Sequence, residues 1–399
     1  MSGKPANPLS GHKARKLESG PGSVNLLWLL AFLWVAASCG PPPRPVPVEP
    51  QELGPGWPMP LGNAKRSPHA GEEAPEEGVA IVWERRVGRG LLAPLVPEGS
   101  LLLATAASGR VSALSTTDGR PYWDRRIDRA LGNGLTRRGD TLFVASEWRQ
   151  GRVFALELRR GRRIWAERAG PAPFAPLLLG DTAYVATADG QVVALRTENG
   201  RSFWRTRLNG AAVTPVIPHG DGLLVATASD TLYVLARGTG EIVRRKALPG
   251  TVSAPPALIG DTIYLPFHTG ELAALRLPTL DKVWRAPFGA PILAAPVAAP
   301  DGSLFVLTRS AEVWRVPPGG RAGERLASLD GAARGSLTLA RNGLLVGRLD
   351  GTLFLLRHDG RIIWQERFDD AIAAPVTVQD GAIYVPLLRG RIVKLRGRT

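Results

Sequence analysis

Cysteine is all but missing from this chain: one residue, Cys39, stands among 399. No intramolecular disulfide can form, so packing alone has to hold the fold. Long apolar runs are scarce as well. The most apolar stretch, Val24 to Ala37, is too short to cross about 30 Å of hydrocarbon as a helix, but it suits the core of a signal peptide. Lysine is rare, with seven residues against 43 arginines, and the formal net charge is +15. Setting aside residues 1–39 removes Lys4, Lys13, Arg15, Lys16 and Glu18 and leaves +12. Such a charge favours anionic partners. The arginines are dispersed, however, and no aromatic residues interleave with them into a strand-binding track, so no nucleic-acid partner is expected.

The signatures of bond chemistry are missing too. There is no Gly-x-Ser-x-Gly elbow, no Walker loop, and no His, Cys, Asp and Glu cluster at metal-binding spacing. His219, His268 and His358 each adjoin a glycine turn in a different part of the chain and read as solvated turn residues. The Asp residues beside turn glycines need no role beyond Asx turns. No catalytic, cofactor-binding or metal-binding residue is assigned, no cofactor is expected, and the chain is not expected to be an enzyme.

What is present is a repeat. Gly109-Arg-Val-Ser-Ala-Leu114 recurs as Gly151 to Leu156, Gly190 to Leu195, Asp230 to Leu235, Gly270 to Leu275, Ala311 to Val316, Gly351 to Leu356 and Gly390 to Leu395. The spacings run from 39 to 42 residues, the period of a propeller blade. An apolar run such as Leu142 to Ala145 precedes each phrase, turn pairs such as Gly139-Asp140 and Asp118-Gly119 bracket the unit, and no helical periodicity intervenes. Four short strands per unit follow.

A tryptophan closes most units: Trp83, Trp123, Trp165, Trp204, Trp284 and Trp364, with Arg244 and Leu326 where two more would fall. A residue at one phase of every blade reads as packing between blades. Pro94, Pro176, Pro215, Pro256, Pro296 and Pro375 open units, where proline suits the start of a strand. Two tryptophans break phase. Trp148, in the inserted segment Ser146 to Gly151, is a candidate surface contact, and Trp314 is read as filling a local gap. The phrase occurs eight times, the strand Val79 to Val87 stands alone before the first unit, and the last unit, Ala374 to Arg396, has only three strands. The expected fold is therefore all-β: an eight-bladed propeller of four-stranded antiparallel blades, closed by pairing the N-terminal strand with the last blade.

Three segments are expected: a lipoprotein-type signal peptide at 1–39, a Pro- and Glu-rich tether at 40–78, and the propeller at 79–399. Residues 41–60 hold nine prolines, a composition that gives an extended, semi-rigid spacer. Ala36 to Cys39 resembles a bacterial lipobox. That resemblance implies an acyl anchor, palmitate included, on Cys39, and Gly40 then implies sorting to the periplasmic face of a Gram-negative outer membrane.

The blade pattern resembles the pyrroloquinoline-quinone-type propeller repeat over residues 79–396. With the lipobox, tether and blade number, it is similar to the lipoprotein branch of that superfamily that assists outer-membrane assembly. The resemblance implies a non-enzymatic periplasmic scaffold, performing no bond chemistry, whose loops bind the barrel insertase or other envelope proteins and whose membrane link is the N-terminal lipid. It also implies a chain monomeric within a larger complex. Segments 208–213 and 250–255 lack the residues through which that branch binds its partner, so no partner-binding residue is carried over. A second reading is a ligand-binding or sensory propeller that recognises an envelope polymer or small molecule through Trp148. A third is a quinone-dependent dehydrogenase. The dehydrogenases of the superfamily use a Ca²⁺-binding carboxylate and amide set, a catalytic Asp and in many cases a vicinal disulfide, which one cysteine cannot make.

Overall fold

The computed structural model describes residues 71–398. Cys39 and most of the expected tether lie outside them. The described residues form eight four-stranded antiparallel sheets arranged as the blades of a propeller. Blade 1 comprises Val96–Glu98, Leu101–Ala106, Arg110–Ser115 and Pro121–Arg126 from the axis outward, and blades 2 to 7 repeat the order over residues 131–168, 177–207, 217–247, 257–287, 297–328 and 333–367. Blade 8 takes Thr377–Gln379, Ala382–Pro386 and Arg391–Gly397 from the C-terminal end, and its outermost strand, Val79–Arg86, from the N-terminal side. Val79 faces Gly397 and Arg86 faces Arg391 in that pairing. The expected closure is what the structure has.

This topology sorts the loops onto two faces. The upper face carries the connections between blades and the turns joining second to third strands. The lower face carries the turns joining first to second and third to fourth strands.

The core lies between blades. One apolar cluster joins Phe143 of blade 2, Tyr184 and Val192 of blade 3, and Tyr233 of blade 4. The repeated phrase supplies the third strand, whose apolar residues are buried because sheets cover both its sides. Its Ala faces the blade's tryptophan: Ala113 opposite Trp123, Ala155 opposite Trp165, Ala194 opposite Trp204 and Ala274 opposite Trp284. The small side chain leaves room for the indole.

Beside each of these tryptophans the register shifts by one residue. Such a bulge leaves the extra residue unpaired and re-aims its neighbours. The indole turns into the seam between blades, and the extra residue turns out. This explains why Val82, Ile164 and Phe203, all large and apolar, are exposed on outer strands.

Each indole then reaches the next blade. Nε1 of Trp83 donates to the Thr116 carbonyl at 3.1 Å, Trp123 to Leu158 at 2.7 Å, Trp165 to Thr197 at 2.9 Å and Trp204 to Arg237 at 3.2 Å. The receiving turn also carries a glycine at positive φ, and a Cβ on Gly119, Gly161, Gly200 or Gly240 would lie 2.4–2.7 Å from the indole of the preceding blade. Only glycine fits there. A buried indole removes roughly 150–250 Å² from water, about 4–6 kcal/mol as an upper bound. Each seam is thus a substantial share of a domain's marginal stability.

At the closure the chain has no third-to-fourth turn to offer, because those strands come from opposite ends. Residues 71–78, expected as the end of the tether, stand in for it. The Pro75 carbonyl accepts Nε1 of Trp364 at 2.6 Å. Ala74 is buried in the cluster shared by blades 7 and 8, and its backbone exchanges two hydrogen bonds with the Asn342 side chain, at 2.9 and 2.8 Å. Arg341 binds the Glu72 and Gly71 carbonyls, and Arg357 pairs with Glu76.

Candidate functional site

The segments that enter the blades converge on the propeller axis at the upper face. There they enclose a cavity of about 680 Å³ to which all eight blades contribute. Proline sets its rim, since Pro94, Pro215 and Pro375 lie just ahead of first strands, where no ladder donor is required. Leu92, Phe174, Val213 and Leu293 make much of the wall apolar, and His268, Arg309 and Arg334 stand along the side formed by blades 5 to 7. No carboxylate lines the cavity. The guanidinium groups of Arg309 and Arg334 make no hydrogen bond or ion pair among the described residues.

Sequence reasoning placed His268 with the other two histidines as a solvated turn residue. His219 ends the first strand of blade 4, beside its turn, with Nε2 2.9 Å from Asp261 of the next blade, and His358, in a turn, stacks on Phe305. His268, two residues past the second strand of blade 5, is a turn residue too, but its turn lies at the axis and lines the cavity. Its signal was positional: residues just after second strands share that place, as Arg309 and Leu349 do.

Trp148 lies on the same face, in the turn between the second and third strands of blade 2. It is 39% exposed. Two guanidinium groups lie over its ring, Arg129 at 5.3 Å and Arg149 at 5.6 Å from the centroid, within cation–π range. The Trp148 amide donates to Ser146 Oγ, which in turn donates to Asp128 at 2.7 Å. The ring is therefore held in place and presents an Arg-Trp-Arg cluster to solvent. It does not line the axial cavity. Trp314, out of phase in blade 6, packs edge-on against Phe288 with centroids 5.5 Å apart.

Few titratable groups depart from ordinary behaviour, and those that do lie in seams and turns. Burial pushes the Tyr384 phenol up to about 12 and lowers the neighbouring Lys394 ammonium. The Lys394 ammonium donates to the Thr116 carbonyl that also accepts Trp83. In the turns, a backbone amide donating to each carboxylate is the largest influence that lowers Asp118 and Asp301. These are structural settings. Among the described residues no group of three His, Cys, Asp or Glu side chains could hold a metal ion, and no helix is long and apolar enough to cross a membrane.

Fold, repeat and seam tryptophans together define an eight-bladed propeller of the pyrroloquinoline-quinone type. A family model described as outer membrane protein assembly factor BamB matches residues 76–214 and again 149–298, more than half of the chain, and the chain belongs to that family. The outer membrane protein assembly factor BamB of Pseudomonas aeruginosa is 28% identical over 199 residues, covering 47% of this chain and 51% of that protein. That of Yersinia pestis is 22% identical over 339 residues, covering 75% and 84%. In several of these matches the chain spans about half the length of the curated relatives. Among solved structures, BamB from Moraxella catarrhalis superposes with a TM-score of 0.66 at 18% identity, over 80% of this chain and all of that one. Quinohemoprotein alcohol dehydrogenase from Comamonas testosteroni gives 0.70 at 13% identity, over 86% and 81%. Both show the fold.

The dehydrogenase likeness raises the question of whether a quinone and its metal would fit. A divalent ion needs oxygen ligands, usually carboxylates. The axial cavity has none, and the single cysteine lies at position 39, outside the propeller. The residues present do not fit a metal–quinone centre.

Proposed function

We propose that this chain is a non-enzymatic scaffold that assists the assembly and insertion of β-barrel proteins into the outer membrane through protein–protein contacts, held at the periplasmic face by a lipid on Cys39. The observation that carries the reading is the family match, on a propeller whose axial cavity lacks carboxylates for metal or acid–base chemistry. A fold used for binding takes its role from its partner, so the test is a crosslinked pull-down from the protein's own envelope. Recovery of the barrel insertase is the expected result. Failure to recover it, under conditions that capture other envelope proteins, overturns the role. The anchor is tested separately: Cys39→Ser should abolish acyl labelling and release the protein from membranes, and persistent labelling refutes it.

A second reading, recognition of a small molecule or envelope polymer, draws on the axial cavity and on Trp148. The two guanidinium groups over the Trp148 ring favour an anionic ligand over a neutral sugar. Quenching of tryptophan fluorescence by that ligand, lost in Trp148→Ala, is its signature.

A further inference from the structure

The third-to-fourth turn of blade 2 reads Leu158-Arg-Arg-Gly-Arg-Arg163. In other lower-face turns arginines pair with carboxylates: Arg120 with Asp118, Arg138 with Asp181, Arg237 with Asp221 and Arg361 with Asp359. Arg159, Arg160, Arg162 and Arg163 are all exposed. None of their guanidinium groups has an ion pair or hydrogen bond among the described residues. Four unpaired like charges within five residues repel one another, and nothing in the seam demands them, since the turn meets Trp123 through Gly161 and the Leu158 carbonyl.

Two further observations say what meets them. The bulges of blades 2 and 3 leave Ile164 54% and Phe203 46% exposed on the rim, so apolar groups flank the cationic turn. The chain also enters the propeller on this face: residues 71–76 lie against Asn342, Arg357 and Gly381, all in lower-face turns. The first described residues, from Gly71, therefore lie on the side that carries the four arginines. A convex turn of arginines with apolar neighbours matches a plane of phosphates over hydrocarbon. Guanidinium pairs with phosphate in bidentate fashion, and exposed apolar side chains enter the interfacial layer.

We infer that the lower face at blade 2 is a docking surface for anionic phospholipid headgroups, and that it turns the upper face, with its cavity and Trp148, away from the membrane. This surface stands whether or not the scaffold role holds. Each basic residue near an anionic bilayer contributes about 1 kcal/mol, about fivefold in affinity.

The test uses the full chain carrying Cys39→Ser, so that no acyl group at that position contributes, and vesicles of phosphatidylcholine with or without phosphatidylglycerol. Binding that requires phosphatidylglycerol should weaken at least tenfold, on the order expected for losing several such residues, when Arg159, Arg160, Arg162 and Arg163 are all changed to Gln. A charge-matched variant of the upper face, with Arg89, Arg309, Arg334 and Arg389 changed to Gln, should bind as the parent does. Equal loss in both variants would reduce the effect to net charge, and no loss in the first would remove the site; either result overturns the inference. Orientation gives a readout that survives a poorly folding quadruple variant. The Cys39→Ser chain has no other cysteine, so an environment-sensitive dye can be placed at Ile164→Cys or, on the upper face, at Gln150→Cys. Anionic vesicles should blue-shift the dye at 164 and leave the one at 150 unchanged, and the reverse pattern refutes the surface.

Discussion

The seams from blade 8 through blade 4 and those from blade 4 through blade 7 solve one problem differently. In the first set, Trp83, Trp123, Trp165 and Trp204 each meet a glycine of the next blade's turn. In the second set, Arg244 occupies the tryptophan position opposite Val234, and the facing turn in blade 5 carries Leu280 where the others have glycine. Leu280 keeps the glycine's backbone, with φ +64 and its amide bonded to the Arg276 carbonyl at 2.7 Å. Its side chain is buried. One side of the contact has shrunk away and the other has grown into the space. Between blades 6 and 7 a different compromise holds: Gly360 remains but meets Leu326. The conserved quantity is therefore the filled volume of the seam, as close packing requires, and tryptophan with glycine is one way of filling it.

The largest effect expected from that comparison is loss of a regular indole. Trp123 is 3% exposed, and Trp123→Ala should cost about 3–5 kcal/mol. Leu326→Ala, in a seam already filled by a smaller, half-buried group, should cost less than half as much. Chemical denaturation of both variants measures the difference. Similar losses would mean that the two sets of seams are energetically alike.

Next comes the glycine side. Gly161 has φ +63 and its Cβ would stand 2.6 Å from the Trp123 ring, whereas Gly319, in the irregular turn of blade 6, has φ +69 and nothing within 4 Å. Gly319→Ala should register backbone strain alone, about 1 kcal/mol. Gly161→Ala adds the steric clash and should cost at least about twice that. Equal costs would show that the indole moves aside freely.

A smaller effect tests whether Arg244 and Leu280 are coupled. Arg244→Trp alone should gain nothing, because Leu280 fills the space the indole needs. Leu280→Gly alone should destabilise by opening a cavity. The double variant rebuilds a regular seam, and a double-mutant cycle should return a favourable coupling of about 1–2 kcal/mol. Additive behaviour breaks the account of the irregular seams given above.

Blade number, strand order and closure could all be read from the chain, because each depends on one repeated phrase and one unpaired strand at either end. The seam tryptophans could be read for the same reason: phase alone separates Trp123 from Trp148. What could not be read depends on partners far away in sequence. Pro75 and Trp364 meet across 289 positions, and nothing in a stretch of proline and glutamate says that its last residues will replace a turn. The axial cavity was hidden because its lining is one or two residues per blade, each unremarkable alone. His268 looked like a turn residue since it is one, and only the ring places that turn on the axis. The basic turn of blade 2 was lost in a chain with 43 arginines; what sets it apart is that its charges are unpaired, which is a property of three dimensions.

The smallest effect concerns the closing seam, where Trp83, Tyr384 and Lys394 crowd together. The Trp83 and Tyr384 rings lie 6.3 Å apart and the Lys394 ammonium is 5.6 Å from the Tyr384 ring. Burial first, and the nearby Asp380 carboxylate second, push the Tyr384 phenol up to about 12 from 10.0. A raised folded value means that between about pH 10 and 12 the unfolded chain gives up this proton while the native chain keeps it. Tyr384 therefore contributes stability that is fully present below pH 10 and is lost as pH rises through 12. At neutral pH the contribution does not vary with pH. Tyrosinate absorbance should show a late component in the parent that is missing in Tyr384→Phe, while the Tyr184 and Tyr264 phenols, raised mainly by burial, still titrate late but ahead of it. A late component that survives Tyr384→Phe unchanged would place the strongest burial in blade 3 or 5, and the closing seam would then be looser than its geometry implies.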